Sequence, residues 1–254
     1  MGRCGQCEVM RYNVGMRFLV TAGNTREMID RVRDWGNIFT GNTGFSIAQA
    51  LADVGEVDLL TSNRQHIEQA AGLSTAHRIE ASGFTSHADL KQALAGLLKR
   101  KTYDAIYMTA AVADYRPAGV YTVVERRADP QDVKVEHWVV RDVSAGKVKS
   151  THPSMVVLGE PTEKIIDLFR REWGYRGILV KFKLEVGIGV DQLLKIAHNS
   201  RLASGADYLV ANTLEMVNGD RAGAYLLRAD GHEWVPRAQL PQRMVQLALQ
   251  QQRS

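Results

Sequence analysis

The sequence predicts an α/β fold: a Rossmann-like, mostly parallel sheet with helices on both faces and an inserted flap or hairpin. Three observations carry this. Strand patterns and helix patterns alternate along the chain. The strands are continuous apolar runs, as expected of strands covered on both faces. The rhythm breaks once, over about 114–153, where Pro117, Pro130 and Pro153 fall among many charges.

The elements follow in order. Residues 16–21 form a short apolar run that ends at Ala22-Gly23-Asn24, a buried strand feeding a turn. Residues 43–54 place Phe45, Ile47, Ala48 and Leu51 at helical spacing. Residues 57–61 are a second strand, 63–71 a helix and 78–81 a weak third strand. The segment 86–100 carries Leu90, Leu94, Leu97 and Leu98 on one face, with Ser86 as its cap. Residues 104–110 are a fourth strand. After the insertion, 155–158 is a strand, and Pro161 suits the first residue of a helix running to about Trp173. Residues 177–183 and 206–212 are the last core strands, with a helix over 190–203 between them. Residues 224–228 and 232–235 resemble a polar hairpin, and 240–251 a C-terminal helix.

The expected organisation is an N-terminal extension over 1–15, disordered, then a single domain over 16–254 with the flap at about 114–153. The 254 residues are ample for a substantial core. The two cysteines, Cys4 and Cys7, are too few for a disulfide-stapled scaffold, and no nearby Cys or His pair completes a zinc site. No apolar run is long enough to span a bilayer, and residues 1–15 lack the apolar core of a signal peptide. The expectation is therefore a cytoplasmic protein. A net charge of +4 without a dense Lys/Arg run suits phosphate-bearing small molecules and gives no support to nucleic acid.

Ligands on parallel sheets bind beyond the carboxyl ends of the strands, so the informative residues are those that follow strands. Gly23, Asn24 and Thr25 open the first turn, where backbone N–H groups can face a phosphate. Asn37 precedes Thr40-Gly41-Asn-Thr43-Gly44, a small-residue loop at a helix start. Ala110, Ala111 and Ala113 leave room for a flat ring, and Asp114 can hold a ribose hydroxyl or Mg²⁺. Lys147 and Lys149 alternate at the end of the insertion, where a flap can swing a cation onto a triphosphate. Each has an ordinary reading too: a turn cap for Asp114, a solvated strand face for the lysines.

Together these motifs resemble the phosphopantothenate–cysteine ligase (phosphopantothenoylcysteine synthetase) family of coenzyme A biosynthesis, in its stand-alone form. The resemblance rests on Thr21-Ala-Gly-Asn-Thr25-Arg-Glu27-Met-Ile-Asp30, Val32-Arg33, Asn37, the Thr40–Gly44 loop and Ala110-Ala-Val-Ala-Asp-Tyr115. It continues through Lys147-Val-Lys149, Phe182-Lys-Leu-Glu185 and Ala211-Asn212, in order over about 17–250. The resemblance implies a ligase that uses ATP or CTP with Mg²⁺, and joins 4′-phosphopantothenate to cysteine through an acyl-nucleotidylate. It implies a homodimer with small-molecule substrates and neither nucleic-acid nor membrane partners. By the same match, Asn37 contacts the acyl intermediate and Lys147 the nucleotide phosphate, as the catalytic pair. Gly23, Asn24, Thr25, Ala110, Ala111, Asp114 and Phe182 form the nucleotide side, with Phe182 against the base. Thr40, Gly41 and Gly44 join Asn37 on the acyl-substrate side, and no residue set is assigned to a resident metal.

There are departures. Phe39-Thr40 replaces a Ser-Ser pair, Asn42 a loop lysine found in some members, and Lys181 the glycine before the phenylalanine. Where bifunctional bacterial members carry a lysine-rich segment, this chain has Lys195, Arg201 and Ser204-Gly205. Two alternatives are a non-catalytic nucleotide-binding paralogue and a nicotinamide-dependent oxidoreductase. The second needs a Tyr-x-x-x-Lys pair, which none of the eight tyrosines provides.

Overall fold

A computed structural model describes residues 15–217, 219 and 222–250; Cys4 and Cys7 lie outside the described residues. In chain order, β1 (Arg17–Ala22) leads through a small hairpin, β2 (Arg26–Met28) and β3 (Asp34–Gly36), to α1 (Asn42–Leu51). Then follow β4 (Glu56–Thr61), α2 (Arg64–Ala71), β5 (Ile79–Gly83), α3 (His87–Arg100) and β6 (Ala105–Met108). The insertion supplies β7 (Tyr115–Ala128), β8 (Glu136–Asp142) and β9 (Val156–Pro161). The chain closes with α4 (Ile165–Arg171), β10 (Ile178–Glu185), α5 (Val190–Ser204), β11 (Tyr208–Thr213), β12 (Gly223–Arg228), β13 (Gly231–Pro236) and α6 (Leu240–Gln250).

The main sheet has the order β13-β12-β11-β10-β6-β1-β4-β5. The six strands from β11 to β5 are parallel. Counted along the chain, they lie in the doubly wound order whose crossovers reverse between the first and fourth strands. That reversal falls between β1 and β6, so the crevice above their carboxyl ends is the natural ligand site. The expected mostly parallel, Rossmann-like sheet is the observed one.

The strand residues explain the two-sided cover. In β1, Phe18 and Val20 face one layer with α1 and α6, while Leu19 faces another with α3 and α4. The same alternation divides Tyr107 from Ile106, and Val180 from Leu179. Leu209 and Ala211 of β11 face α5. Tyr107, fully buried, donates to the Met244 carbonyl at 2.9 Å and ties the sheet's centre to α6. Local signals set the helix starts. Ser86 and Asp89 form a reciprocal capping box on α3, and Asn63 accepts from the Gln65 N–H to cap α2.

Three expectations need correction. The strand at 155–158 belongs to the flap: β9 pairs antiparallel with β7, in a three-stranded sheet ordered β8-β7-β9. Its residues are exposed or only partly buried, so it lacks the two-sided cover of a core strand. Pro161 ends this edge strand, opposite Tyr115, and the helix begins at Ile165. An edge strand accepts proline because one row of its backbone groups has no ladder partner. The residues read as a polar hairpin are β12 and β13, which extend the main sheet antiparallel and bury Ala224, Leu226, Leu227 and Val235. Among the described residues no helix is long and apolar enough to cross a membrane.

Candidate functional site

Above the β1–β6 switch point lies an open cavity of about 820 Å³, within the range of small-molecule sites. Its floor is the carboxyl end of the sheet, and three loops wall it: 37–44 before α1, 108–114 after β6 and 162–167 before α4.

The first loop is held against the strands by glycine. Gly41 caps α1 with φ +84°, and a Cβ there would lie 2.1 Å from the Gly23 nitrogen. At Gly44 a Cβ would meet Thr109 Oγ1 at 2.2 Å. Both positions therefore need glycine so that α1 can start directly on the β1 turn. No side chain caps α1, so its first N–H groups stay free for an acceptor in the cavity. Behind this loop, buried His66 stacks on Phe45 with ring centroids 4.6 Å apart, and its Nε2 lies 3.1 Å from Asn42 Oδ1. Burial lowers the pKa of His66, which favours a neutral ring. Asn63 donates to the Thr40 carbonyl at 3.2 Å and fixes the other side of the loop.

The turn after β1 is sewn to the loop after β6. Thr25 N–H donates to the Ala111 carbonyl at 3.1 Å, and Ala111 N–H to the Gly23 carbonyl at 2.8 Å. Asn37 Nδ2 donates to the same Ala111 carbonyl at 3.3 Å, and Asn24 Nδ2 donates to the Asn37 carbonyl. Asn37 is exposed at the cavity rim and hangs from the alanine loop. Asp114 also lines the cavity, paired with Lys164 from the loop before α4.

The structure thus gathers Gly23, Asn37, Thr40, Gly41, Gly44, Ala110, Ala111, Asp114 and Phe182 around one cavity. Three expected contacts fall outside it. Thr25 is fully buried and its hydroxyl accepts from the Ala113 N–H at 2.8 Å, so it supports the alanine loop from behind. Asn24 has its side chain on Asn37 and Ser62, and does not line the cavity. Lys147 is exposed on the flap and is not among the cavity's walls within this chain.

The segment bearing Lys147 is nevertheless pinned. The buried Asp30 carboxylate accepts from the Val148 N–H at 3.1 Å and from Arg33 Nε at 3.0 Å. Arg33 also donates to the Val148 carbonyl at 2.7 Å, and Arg31 N–H to the Gly146 carbonyl at 3.0 Å. The Arg33 guanidinium, with the surrounding N–H donors, holds the Asp30 pKa well below the usual carboxylate range. The Asp30 and Arg33 of the sequence motif are thus the anchor of the flap lysines.

Sequence reasoning missed Lys164, Arg237 and Asn42 as walls of the cavity. Their positions after strands or at helix starts were the available signal. Among the described residues, no group of three or more His, Cys, Asp or Glu is placed to hold a metal ion.

The family described as DNA/pantothenate metabolism flavoprotein C-terminal domain matches residues 13–136. The coenzyme A biosynthesis bifunctional protein CoaBC of Thermococcus kodakarensis is 30% identical over 227 residues, covering 88% of this chain and 47% of that protein. The chain thus spans about half the length of the curated relatives it matches. The crystal structure of the DNA/pantothenate metabolism flavoprotein from Streptococcus pneumoniae superimposes with a TM-score of 0.72 at 26% identity, covering 91% of this chain and 97% of that one. A mutant of Cab2 in complex with phosphopantothenate-cysteine shares the fold at TM-score 0.65 and 15% identity, over 94% of this chain and 89% of that one.

Proposed function

We propose that the chain is a member of the family of the DNA/pantothenate metabolism flavoprotein C-terminal domain, whose model matches residues 13–136, and that it joins 4′-phosphopantothenate to cysteine in coenzyme A biosynthesis. The carrying observation is the single cavity that sets Asn37, Asp114 and Phe182 around the switch point of the sheet.

In this reading the substrate carboxylate attacks the α-phosphorus of ATP or CTP, giving an acyl-nucleotidylate and releasing pyrophosphate. The amine of cysteine then attacks the acyl carbon, forms the amide and releases the nucleoside monophosphate. Neither step requires a nucleophile from the protein; both require positioning and stabilisation of charge. The cavity supplies donors of that kind: the free N–H groups at the start of α1, the Asn37 amide and the lysines of the loop walls. The alanine loop and Phe182 offer flat apolar surfaces for the base. Mg²⁺ would arrive on the triphosphate, and Asp114 is a carboxylate of the cavity wall that would hold it. Lys147 would act from the flap on the nucleotide phosphate. Its anchorage to Asp30 limits how far it moves within one chain, so a second copy of the chain is a fitting source of the lysine for each cavity. The exposed Trp138 and Val140, which share one face of β8, give such a homodimer apolar surface to bury. We place this chemistry in the cytoplasm, with no nucleic acid or membrane partner.

The test is pyrophosphate release from ATP and from CTP, each with Mg²⁺ and 4′-phosphopantothenate, followed by amide formation on adding cysteine. One nucleotide should support both steps. Absence of any acyl-nucleotidylate with either nucleotide defeats the ligase reading and leaves the non-catalytic nucleotide-binding alternative.

A further inference from the structure

The carboxyl end of β10 presents opposite chemistry to the two faces of the sheet. Phe182 packs towards the α1–α6 layer. Lys181 and Lys183, one residue to either side, alternate to the opposite face, and all three line the cavity. Lys183 is paired with Glu185 at 2.8 Å, and Lys164 with Asp114. Lys181 has no carboxylate within salt-bridge distance among the described residues. Its Nζ donates to the Ser200 carbonyl at 3.3 Å. An ammonium carries three donors, so two stay available towards the cavity. The facing wall of α5 is Ser200 and Ala203, small side chains that leave space over the amine. Lys181 stands level with Met108, the last residue of β6, and so directly below the alanine loop.

We propose that Lys181 is the anion-binding amine of the cavity floor, taking a phosphate oxygen of a bound substrate. The inference deepens the ligase reading and rests on it for the identity of the anion. A partly buried cation without a counter-ion loses hydration and gains no ion pair. Burial lowers the pKa of this amine; Asp167 opposes that, and the charges of Lys183 and Lys164 add to it. An arriving phosphate relieves both the lost hydration and the repulsion among the three lysines. The phosphate belongs either to the nucleotide or to 4′-phosphopantothenate.

Calorimetric titration distinguishes the two. Wild type, Lys181→Gln and Lys181→Met are titrated with pyrophosphate, ATP, CTP and 4′-phosphopantothenate at low salt. Affinity for at least one anion should fall on the order of tenfold in both neutral variants. Lys181→Arg should hold it within about threefold, and Lys195→Gln, on the exposed side of α5, should leave it unchanged. A loss confined to pyrophosphate and the nucleotides assigns Lys181 to the polyphosphate; a loss confined to 4′-phosphopantothenate assigns it to that phosphate. Unchanged affinity for all four probes in folded variants overturns the inference. If neither neutral variant folds, acetylation of Lys181 in the wild-type protein, followed by peptide mass spectrometry, decides instead. Protection by one of the anions supports the assignment, and equal labelling with and without every anion refutes it. Binding is read without turnover, so Lys181-dependent binding in a protein that makes no amide removes the ligase reading alone. Amide formation with Lys181-independent binding removes only this inference.

Discussion

The two ends of the parallel sheet treat polar groups differently. At the amino ends, side chains satisfy one another. Lys101 donates to Asp58 at 2.6 Å and to Glu80 at 2.7 Å, while Tyr103 donates to the other Asp58 oxygen at 2.8 Å. Arg17 pairs with Glu56, and Arg170 with Asp207 at 2.8 Å. At the carboxyl ends, the start of α1 has no side-chain cap, Lys181 has no carboxylate within salt-bridge distance among the described residues, and Asn37 sits exposed at the rim. Both ends are built from charged and amide residues, so composition does not separate them. What separates them is degree: at the amino end the charged groups named are paired, whereas at the carboxyl end the start of α1 and Lys181 lack a charged partner beside the paired Lys183–Glu185 and Lys164–Asp114.

Mutation at each end should move different quantities. Asp58→Ala should produce the largest change in stability, about 3 kcal/mol, because it leaves the buried Tyr103 hydroxyl without its acceptor and removes one partner of Lys101. Denaturant midpoints measure this loss, and the Michaelis constants of the protein that remains folded should not change. A large kinetic change with little loss of stability would erase the distinction between the ends. Asn37→Asp should do the reverse, lowering amide formation on the order of 100-fold while the melting temperature stays close to wild type. Single-turnover assays should show the acyl-nucleotidylate still forming. Equal loss of both half-reactions would remove the special role of Asn37.

The smallest effect concerns the flap anchor and has a definite sign. The folded-state pKa of Asp30 lies below its ordinary value of 3.8. Its contribution to stability is therefore complete above the unfolded value and is lost as pH falls from there towards the folded one. Wild-type stability should drop between about pH 5 and pH 3, and Asp30→Asn should shallow that drop. An identical acid profile in the variant would mean that Asp30 does not hold the Lys147 segment in solution.

Much of the site was legible because the α/β pattern says where to look. The turns after β1 and β6 were identified from an apolar run followed by small residues, and both wall the cavity. Asn37 and Phe182 came from motif order, and both lie there too. The roles of Thr25 and Asp30 were not legible. Thr25 reads as part of a turn whose backbone N–H groups face a phosphate, yet its own N–H donates to the Ala111 carbonyl and its hydroxyl accepts from the Ala113 N–H, 88 positions away. Asp30 reads as part of a motif, yet its work is done on Val148, 118 positions away. Lys164 went unnoticed because its partner Asp114 lies across the whole flap, 50 residues earlier.

By itself the sequence determined the six parallel strands, the helices apart from the start of α4, the Ser86 cap and the doubly wound class. These depend on side-chain period and on hydrogen bonds between near neighbours, which a linear pattern carries in full. Only the tertiary structure decided that 156–161 joins the flap, that Lys147 stands outside the cavity, and that Lys181 opens into it unpaired. Each of these turns on which distant segment arrives beside a residue. Pairing between segments far apart is set by sheet register and layer packing, and no local period records it.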